Sequence, residues 1–150
     1  MKVAIGNDHV ALELKLHIKN YVAAKGIEVV DFGTDTVTRV DYPVYAKMVS
    51  DAVASGECDL GILICGTGVG MAIAANKVKG IRAAVCSEPY SARLTRMHNN
   101  ANVITFGARV IGFATAEMIV DEFLSTDYEG GRHAKRVDMI SAIERGEDIC

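Results

Sequence analysis

Apolar residues occur in short, nearly continuous runs that alternate with longer stretches of helical periodicity. Three of the short runs hardly alternate with polar residues, which is typical of strands covered by helices on both faces. Five β-strands are predicted, over residues 3–6, 28–32, 60–64, 81–85 and 102–106. The strands are therefore expected to form one parallel sheet.

The longer stretches predict helices. From residue 41 to 56 apolar side chains recur every three or four positions, with Pro43 near the start and Gly56 beyond the end, as in an amphipathic helix. The stretch 10–25 is ambiguous because its apolar residues alternate from Leu12 to Ile18, but its length and the terminating Gly26 favour a helix. Further helices are predicted over 69–78, 89–98, 113–124 and 132–144.

Strands that alternate with helices along a chain form right-handed crossovers. We therefore predict an α/β fold: a Rossmann-like, doubly wound five-stranded parallel sheet with helices on both faces and a C-terminal helix. Ligands of such sheets bind at the carboxyl ends of the strands, so the functional residues are expected there. The length of 150 residues predicts a single domain over 1–150.

Charge and composition exclude several classes of function. The formal net charge of -3 lacks the basic excess that broad contact with nucleic acid requires. No apolar run approaches the roughly 20 residues of a membrane span. The 4 cysteines form neither a CxxC pair nor a zinc-ligand spacing. We expect a cytoplasmic protein with reduced thiols, no metal or cofactor, and neither nucleic acid nor membrane as partner.

Polar or thiol residues follow three of the predicted strands, and these strand ends are expected to converge on one crevice. They are Asn7-Asp8-His9 after the first strand, Cys65 with the loop Gly66-Thr67-Gly68-Val69-Gly70 after the third, and Cys86-Ser87-Glu88 after the fourth. The glycine loop leads into a helix, and its unhindered N–H groups suit an anion. Its GxGxG spacing differs from nucleotide-binding motifs, and a plain structural turn is the alternative.

Cys65 lies directly before this loop, where N–H donors favour its thiolate as a nucleophile or proton acceptor. The alternative is a small buried hydrophobe, which we prefer for Cys58 and Cys86; Cys150 is a terminal thiol. His98, at the end of a predicted helix, either transfers a proton near neutral pH or is an ordinary surface histidine.

Two arginines near the C-terminus, Arg132 and Arg136, are four residues apart at a predicted helix start. Together they suit a phosphate dianion, although a solvated basic face is the alternative. Asp8 and His9 either contact ligand hydroxyls or phosphate, or cap the next helix. Arg109 either joins the two arginines or serves a subunit contact.

The chain closely resembles the type B ribose-5-phosphate isomerases in a series of motifs that spans essentially its whole length. CGTGVG together with CSEPYSA and EGGRH is a highly specific combination. The motifs are Gly6-Asn7-Asp8-His9, Asp41-Tyr42-Pro43, Cys65 through Gly70, Ala75-Asn76-Lys77, Cys86 through Ala92, His98-Asn99 and Glu129-Gly130-Gly131-Arg132-His133. Another branch of the family carries a glutamate base where this chain has Met71, so the match is to the thiol branch. The wider family includes allose-6-phosphate isomerases and subunits of galactose-6-phosphate isomerase.

The resemblance implies a cofactor-free isomerase of ribose 5-phosphate and ribulose 5-phosphate, in which Cys65 moves the proton between C1 and C2. It further implies that His98 opens the sugar ring with help from Thr67, and that the N–H groups of residues 66 to 70 hold the enediolate. Asp8 would hold hydroxyls; His9, Arg132 and Arg136 would bind phosphate; Asn99 and Arg109 would complete the pocket. Since relatives share these residues between subunits, a homodimer or tetramer with interfacial sites is expected.

Two alternatives remain open from the sequence. The first is an isomerase of a six-carbon sugar phosphate, allose 6-phosphate or galactose 6-phosphate, since no residue reports the length of the pocket. The second is a non-enzymatic nucleotide-binding α/β module. A phosphoacceptor receiver is disfavoured because it needs an aspartate where this chain has Cys65.

Overall fold

A sheet of five parallel strands lies at the centre of the computed structural model, which describes residues 1–150. The strands are β1 (Lys2–Asn7), β2 (Glu28–Asp31), β3 (Leu60–Cys65), β4 (Ala83–Val85) and β5 (Val103–Gly107). Their order across the sheet is β2-β1-β3-β5-β4, and every pair is parallel. The predicted α/β fold with a parallel sheet is therefore confirmed.

Six α-helices accompany the sheet, and a 3-10 turn at Gly131–His133 precedes the last one. They are α1 (Leu12–Ala24), α2 (Tyr42–Ala54), α3 (Val69–Ala75), α4 (Pro89–Asn99), α5 (Phe113–Ser125) and α6 (Ala134–Glu144). All predicted helices are present, and the ambiguous stretch 10–25 is helical. No helix has the combination of length and apolar character that crossing a membrane requires.

A few predicted boundaries are wrong. The fourth strand begins at Ala83 rather than at residue 81, because the N–H of Ile81 donates to Val78 in a turn (3.1 Å). The helix predicted over 69–78 ends at Ala75, since the next side chain, Asn76, bonds the backbone of Ala83 at 2.7 and 2.8 Å. The last helix begins two residues later than predicted because residues 131–133 form the 3-10 turn.

Strand side chains alternate between two apolar layers, one on each face of the sheet. On β3, Ile62 and Ile64 pack in the layer of α1, α4 and α5, whereas Leu63 and Cys65 face the layer of α2 and α3. Helices on both faces thus account for the continuous apolar strands. Met71 is fully buried in the second layer, as expected for packing.

The strand order corrects one expectation about the site. The ends of β1 and β3 are adjacent, but β4 is an edge strand separated from β3 by β5, which places its end about 10 Å from that of β3. Glu88 caps α4 by accepting from the N–H of Ser91 (3.1 Å). Cys86 is buried, and burial together with nearby Glu88 raises the pKa of its thiol to about 11. Residues 86–88 at the end of β4 therefore do not lie next to the ends of β1 and β3.

A buried lysine, Lys15, ties α1 to the segment that follows β2. Its Nζ donates to Asp31 (2.9 Å) and Asp35 (2.8 Å), and Lys19 adds a second ammonium contact to Asp31 (2.8 Å). Burial alone would raise the pKa of Asp31, but the hydrogen bonds from Lys19, Lys15 and the Gly33 N–H together lower it. The carboxylate of Asp31 is thus stabilised in its charged form by folding.

We expect Asp31→Asn to lower the free energy of unfolding by about 2 kcal/mol at neutral pH, because Lys15 stays buried with one partner fewer. Since folding lowers the pKa of Asp31, its contribution is present above about pH 4 and is lost as the pH falls further. Urea unfolding at pH 7 and pH 3 measures both effects. Asp51→Asn, which removes an exposed contact to Lys47, is the matched control and should cost about 0.5 kcal/mol. Equal losses in the two variants at pH 7 would contradict this account.

Candidate active site

Cys65 ends β3 with its sulfur turned toward the glycine loop. The residue is only 6% exposed, yet it is not sealed away from the loop, because the N–H of Gly68 donates to its Sγ at 3.1 Å. Such a contact stabilises negative charge on sulfur. The thiol therefore lies where the sequence predicts it, beside main-chain donors.

The loop is held tightly against β5, which explains its glycines. Gly68 has φ +83, and a Cβ there would lie 2.8 Å from the backbone of Phe106. A Cβ on Gly107 would lie 2.6 Å from the Cα of Thr67. The buried hydroxyl of Thr105 also donates to the carbonyl of Gly68 (2.9 Å). This packing fixes the loop relative to Cys65.

Three amides of the loop are free to bind an anion. The N–H groups of Gly66, Thr67 and Gly70 have no acceptor within the chain, whereas that of Val69 donates to the Thr67 hydroxyl (3.3 Å). Convergent free N–H groups are what an anion or a developing oxyanion requires. The predicted anion loop thus has available donors next to the thiol.

Asp8, His9 and Arg109 lie at the same edge of the sheet. Asp8 is buried, and one of its oxygens accepts from the N–H of Val10 (3.0 Å), while its second oxygen has no partner. It does not cap α1, the alternative that the sequence left open, because no side chain accepts from the first turn of that helix. His9 accepts from the N–H of Val40 (3.3 Å). The main chain of Arg109 donates to the Gly66 carbonyl (3.1 Å). These three residues therefore lie at the edge of the sheet where Cys65 and the glycine loop lie, and Arg109 contacts the loop directly.

Sequence analysis missed one neighbour of the loop. The ring of Tyr42, at the first turn of α2, lies against Gly70, where an added Cβ would be 2.7 Å from the ring and 3.0 Å from its hydroxyl. No local pattern in the sequence indicates the contact between Tyr42 and Gly70, because it joins distant segments of the chain. Tyr42 therefore forms part of the wall at this edge.

The other candidates, His98, Asn99, Arg132 and Arg136, lie at the opposite end of the sheet. The first two end α4, only a few residues before β5 begins at Val103, whereas Cys65 pairs with the last residue of β5. The five residues of β5 therefore place the end of α4 and Cys65 about 13 Å apart along the strand direction. Each helix returns the chain to the end of the sheet at which the strands begin, which we call the amino edge. The expectation that all candidates cluster at the carboxyl ends of the strands is therefore wrong.

The amino-edge group forms a cluster of its own. The rings of His98 and His133 are stacked at 4.1 Å with an interplanar angle of 10°. One carboxylate oxygen of Glu129 lies 3.8 Å from Nε2 of His98 and 3.6 Å from Nε2 of His133. Arg132 donates to Nε2 of His133 (3.3 Å), and Arg136 donates to the Arg132 carbonyl (3.1 Å). The two predicted phosphate arginines are thus adjacent.

His98, Glu129 and His133 also have ligand atoms within 4.8 Å of one another, close enough for a metal ion. No sequence spacing indicated this set, because 31 residues separate His98 from Glu129. The guanidinium groups of Arg132 and Arg136 beside it disfavour a cation and favour an anion. Burial and the neighbouring positive charges of His98 and Arg132 lower the pKa of His133.

A cavity of about 480 Å³ lies at the amino edge, between β4, α4 and α6. Asn99, Arg82 and Thr95 line it together with Ile140 and Ile143 of α6. Cys65 is not among its lining residues. Within one chain the thiol therefore lacks an enclosing pocket formed by the amino-edge residues.

Comparison with known proteins gives a consistent result. The model of the family described as Ribose/Galactose Isomerase matches residues 3–140. The chain is 58% identical to ribose-5-phosphate isomerase B of Escherichia coli (strain K12) over 144 residues, which are 96% of this chain and 97% of that protein.

Solved structures agree with the sequence comparison. Ribose-5-phosphate isomerase B of Clostridium thermocellum superposes with a TM-score of 0.96 at 52% identity, covering 97% of this chain and 99% of that one. Ribose-5-phosphate isomerase B of Mycoplasma genitalium with bound ribulose-5-phosphate superposes with a TM-score of 0.92 at 43% identity, covering 96% of both chains. Similarity thus extends over the whole sheet and both groups of candidate residues.

Proposed function

Because this chain belongs to the ribose/galactose isomerase family, we propose that it interconverts ribose 5-phosphate and ribulose 5-phosphate. The chain is an isomerase, so the non-enzymatic nucleotide-binding alternative is set aside. The observation that carries the proposal is the Cys65 sulfur 3.1 Å from the Gly68 N–H, beside the free N–H groups of Gly66 and Thr67. A mobile carbon-bound proton needs a base and an oxyanion site side by side.

The reaction begins with the opening of the furanose ring. His98 protonates the ring oxygen while the anomeric hydroxyl gives its proton to solvent water, which breaks the C1–O bond of the ring and leaves an aldehyde at C1. Thr67 assists at this end of the sugar, since its hydroxyl lies in the loop that follows Cys65. The open-chain aldehyde is the species on which the proton transfer acts.

Cys65 then carries the proton between the two carbons. Its thiolate removes the C2 proton, and the electron pair moves through a C1–C2 double bond to the C1 oxygen. The N–H groups of residues 66 to 70 surround this enediolate, and those of Gly66, Thr67 and Gly70, which have no acceptor within the chain, stabilise its charge. One such donor is typically worth roughly 3 kcal/mol of barrier. The thiol then returns the proton to C1 while the proton of the C2 hydroxyl passes to the C1 oxygen, which leaves a hydroxyl at C1 and a ketone at C2.

The remaining candidates hold the substrate. Asp8 accepts from sugar hydroxyls through its unpaired oxygen, while His9, Arg132 and Arg136 bind the phosphate dianion. Asn99 and Arg109 complete the pocket. The substrate is a small sugar phosphate and the reaction uses the side chains of the protein itself. Residues 1–150 act as one sugar-phosphate isomerase domain, and its reduced thiols suit the cytoplasm.

The complete site is formed by two copies of the chain. Cys65 and His98 lie at opposite edges of one sheet, so both reach one substrate only if the carboxyl edge of one copy faces the amino edge of another. A two-fold axis then creates two equal sites per homodimer. A tetramer pairs two such dimers.

Arg136→Ala is expected to raise KM for ribose 5-phosphate roughly 10- to 100-fold, because a charge-assisted hydrogen bond to phosphate is lost. The kcat should change less than about threefold, since this contact is equally strong in substrate and transition state. Arg145→Ala removes an exposed arginine paired with Glu147 and is the matched control. Steady-state kinetics measures both variants, and an unchanged KM in Arg136→Ala removes this residue from the phosphate site.

The choice of sugar is tested by comparing kcat/KM for ribose 5-phosphate, allose 6-phosphate and galactose 6-phosphate. We expect ribose 5-phosphate to be the best substrate, in keeping with the three ribose-5-phosphate isomerases compared above. The description of the family includes galactose, so the six-carbon sugars are the relevant competitors. A higher kcat/KM for either of them would replace the proposed substrate with that sugar.

A further inference from the structure

Glu129 and His133 lie beside His98, the histidine proposed to open the sugar ring, and neither has a part in the reaction steps above. The N–H of Glu129 donates to the carbonyl of Met97 at 3.0 Å, which fixes its segment against the last turn of α4. This contact brings the carboxylate next to His98, the residue that follows Met97. The position of Glu129 is therefore determined by main-chain packing.

The direction of the hydrogen bonds determines whether the Glu129 carboxylate pairs with His98 or with His133. Arg132 donates to Nε2 of His133 at 3.3 Å, which requires a lone pair on that nitrogen and hence a neutral ring. Glu129 also offers only lone pairs, so it does not pair with the same nitrogen despite a separation of 3.6 Å. Its negative charge is thus available to Nε2 of His98, 3.8 Å away.

We propose that Glu129 is a positioning residue for His98: its carboxylate stabilises the protonated imidazole, and the neutral ring of His133 stacked on the other holds its orientation. This inference rests on the proposed function, in which His98 protonates the ring oxygen of the sugar. The stacking distance of 4.1 Å leaves His98 little freedom to tilt. A base oriented by a carboxylate is a recurrent arrangement in proton-transfer sites.

Among the charged groups around the two imidazole rings, Glu129 is the one whose charge stabilises a protonated ring. Glu129 supplies the one carboxylate within 4 Å of either ring. Arg132, at the 3-10 turn, and Arg136, on α6, place positive charge beside His133, which opposes protonation of the stacked pair. Without Glu129, no carboxylate would lie within 4 Å of a nitrogen of either ring to offset these positive charges.

The test is the pH dependence of kcat/KM for ribose 5-phosphate in Glu129→Gln, a nearly isosteric change at a half-exposed side chain. We expect the alkaline limb, where His98 loses its proton, to move about one pH unit lower. Above that limb kcat should therefore fall about tenfold, while KM changes less than about twofold. Glu129→Asp should restore part of the loss because it keeps the charge.

Asp127→Asn is the matched control, since it removes an exposed carboxylate from the same segment and should leave the profile unchanged. The double variant His98→Asn/Glu129→Gln tests whether Glu129 acts through His98, and its kcat should equal that of His98→Asn alone. An unshifted profile in Glu129→Gln, or equal losses from this change with and without His98, would overturn the inference. A fully active His98→Asn would instead overturn the proposed ring-opening step.

Discussion

Cys65→Ala is expected to lower kcat about 100-fold or more, because the proton on C2 then has no base to accept it. The free N–H groups of Gly66 and Thr67 remain, so substrate binding and the polarisation of the carbonyl should survive. The expected defect is therefore in the chemical step, with a much smaller change in KM.

The fold of this variant should stay intact, since the lost sulfur is small and lies at the end of β3 rather than in its centre. Cys58→Ala makes the same chemical change at a buried cysteine of the same apolar layer and should retain kcat. Circular dichroism and thermal unfolding verify the structure of both variants. A Cys65→Ala enzyme with near-normal kcat would show that another group is the base.

A heterodimer of one Cys65→Ala chain and one His98→Asn chain is expected to recover about half of the wild-type kcat per dimer. Each homodimer should be at least about 100-fold impaired, because every site lacks either the base or the ring-opening group. In the heterodimer one site combines an intact carboxyl edge with an intact amino edge, and the other site lacks both. Recovery of this kind arises only when two chains build each site.

The experiment uses co-expression of the two variants with different affinity tags and purification through both. A heterodimer that carries Cys65→Ala and His98→Asn on the same chain, with the other chain wild type, is the matched control. Here each site has one defect, so little activity should remain. Activity near half of wild type in this control, with none in the first heterodimer, would mean that one chain forms the whole site.

The sequence was sufficient to predict the elements of this fold and its chemistry-bearing loop. Continuous apolar runs such as that of β3 occur where helices cover both faces, so they predicted a buried parallel sheet. The closely spaced glycines after Cys65 predicted a loop with unhindered N–H groups at a helix start. The structure adds a second reason at Gly68, where a Cβ would collide with β5. Both predictions rest on patterns that lie within a short stretch of the sequence.

Contacts between distant segments could not be predicted in the same way. The order of strands depends on tertiary packing, so nothing in its own residues placed β4 beyond β5 at the edge. The pairing of Glu129 with His98 depends on a main-chain contact across 32 residues, from Glu129 to Met97. The separation of the candidate residues between two edges of the sheet likewise follows from how far each helix carries the chain before the next strand begins.

In the proposed reaction the Cys65 thiolate moves a proton between carbons through an enediolate held by main-chain amides. The most direct test follows the entry of solvent deuterium at C1 of ribulose 5-phosphate by NMR, with the wild-type protein and Cys65→Ala in heavy water. We predict deuterium at C1 with the wild-type protein and an exchange rate at least about 100-fold lower with the variant. Exchange at an undiminished rate in Cys65→Ala would contradict the account.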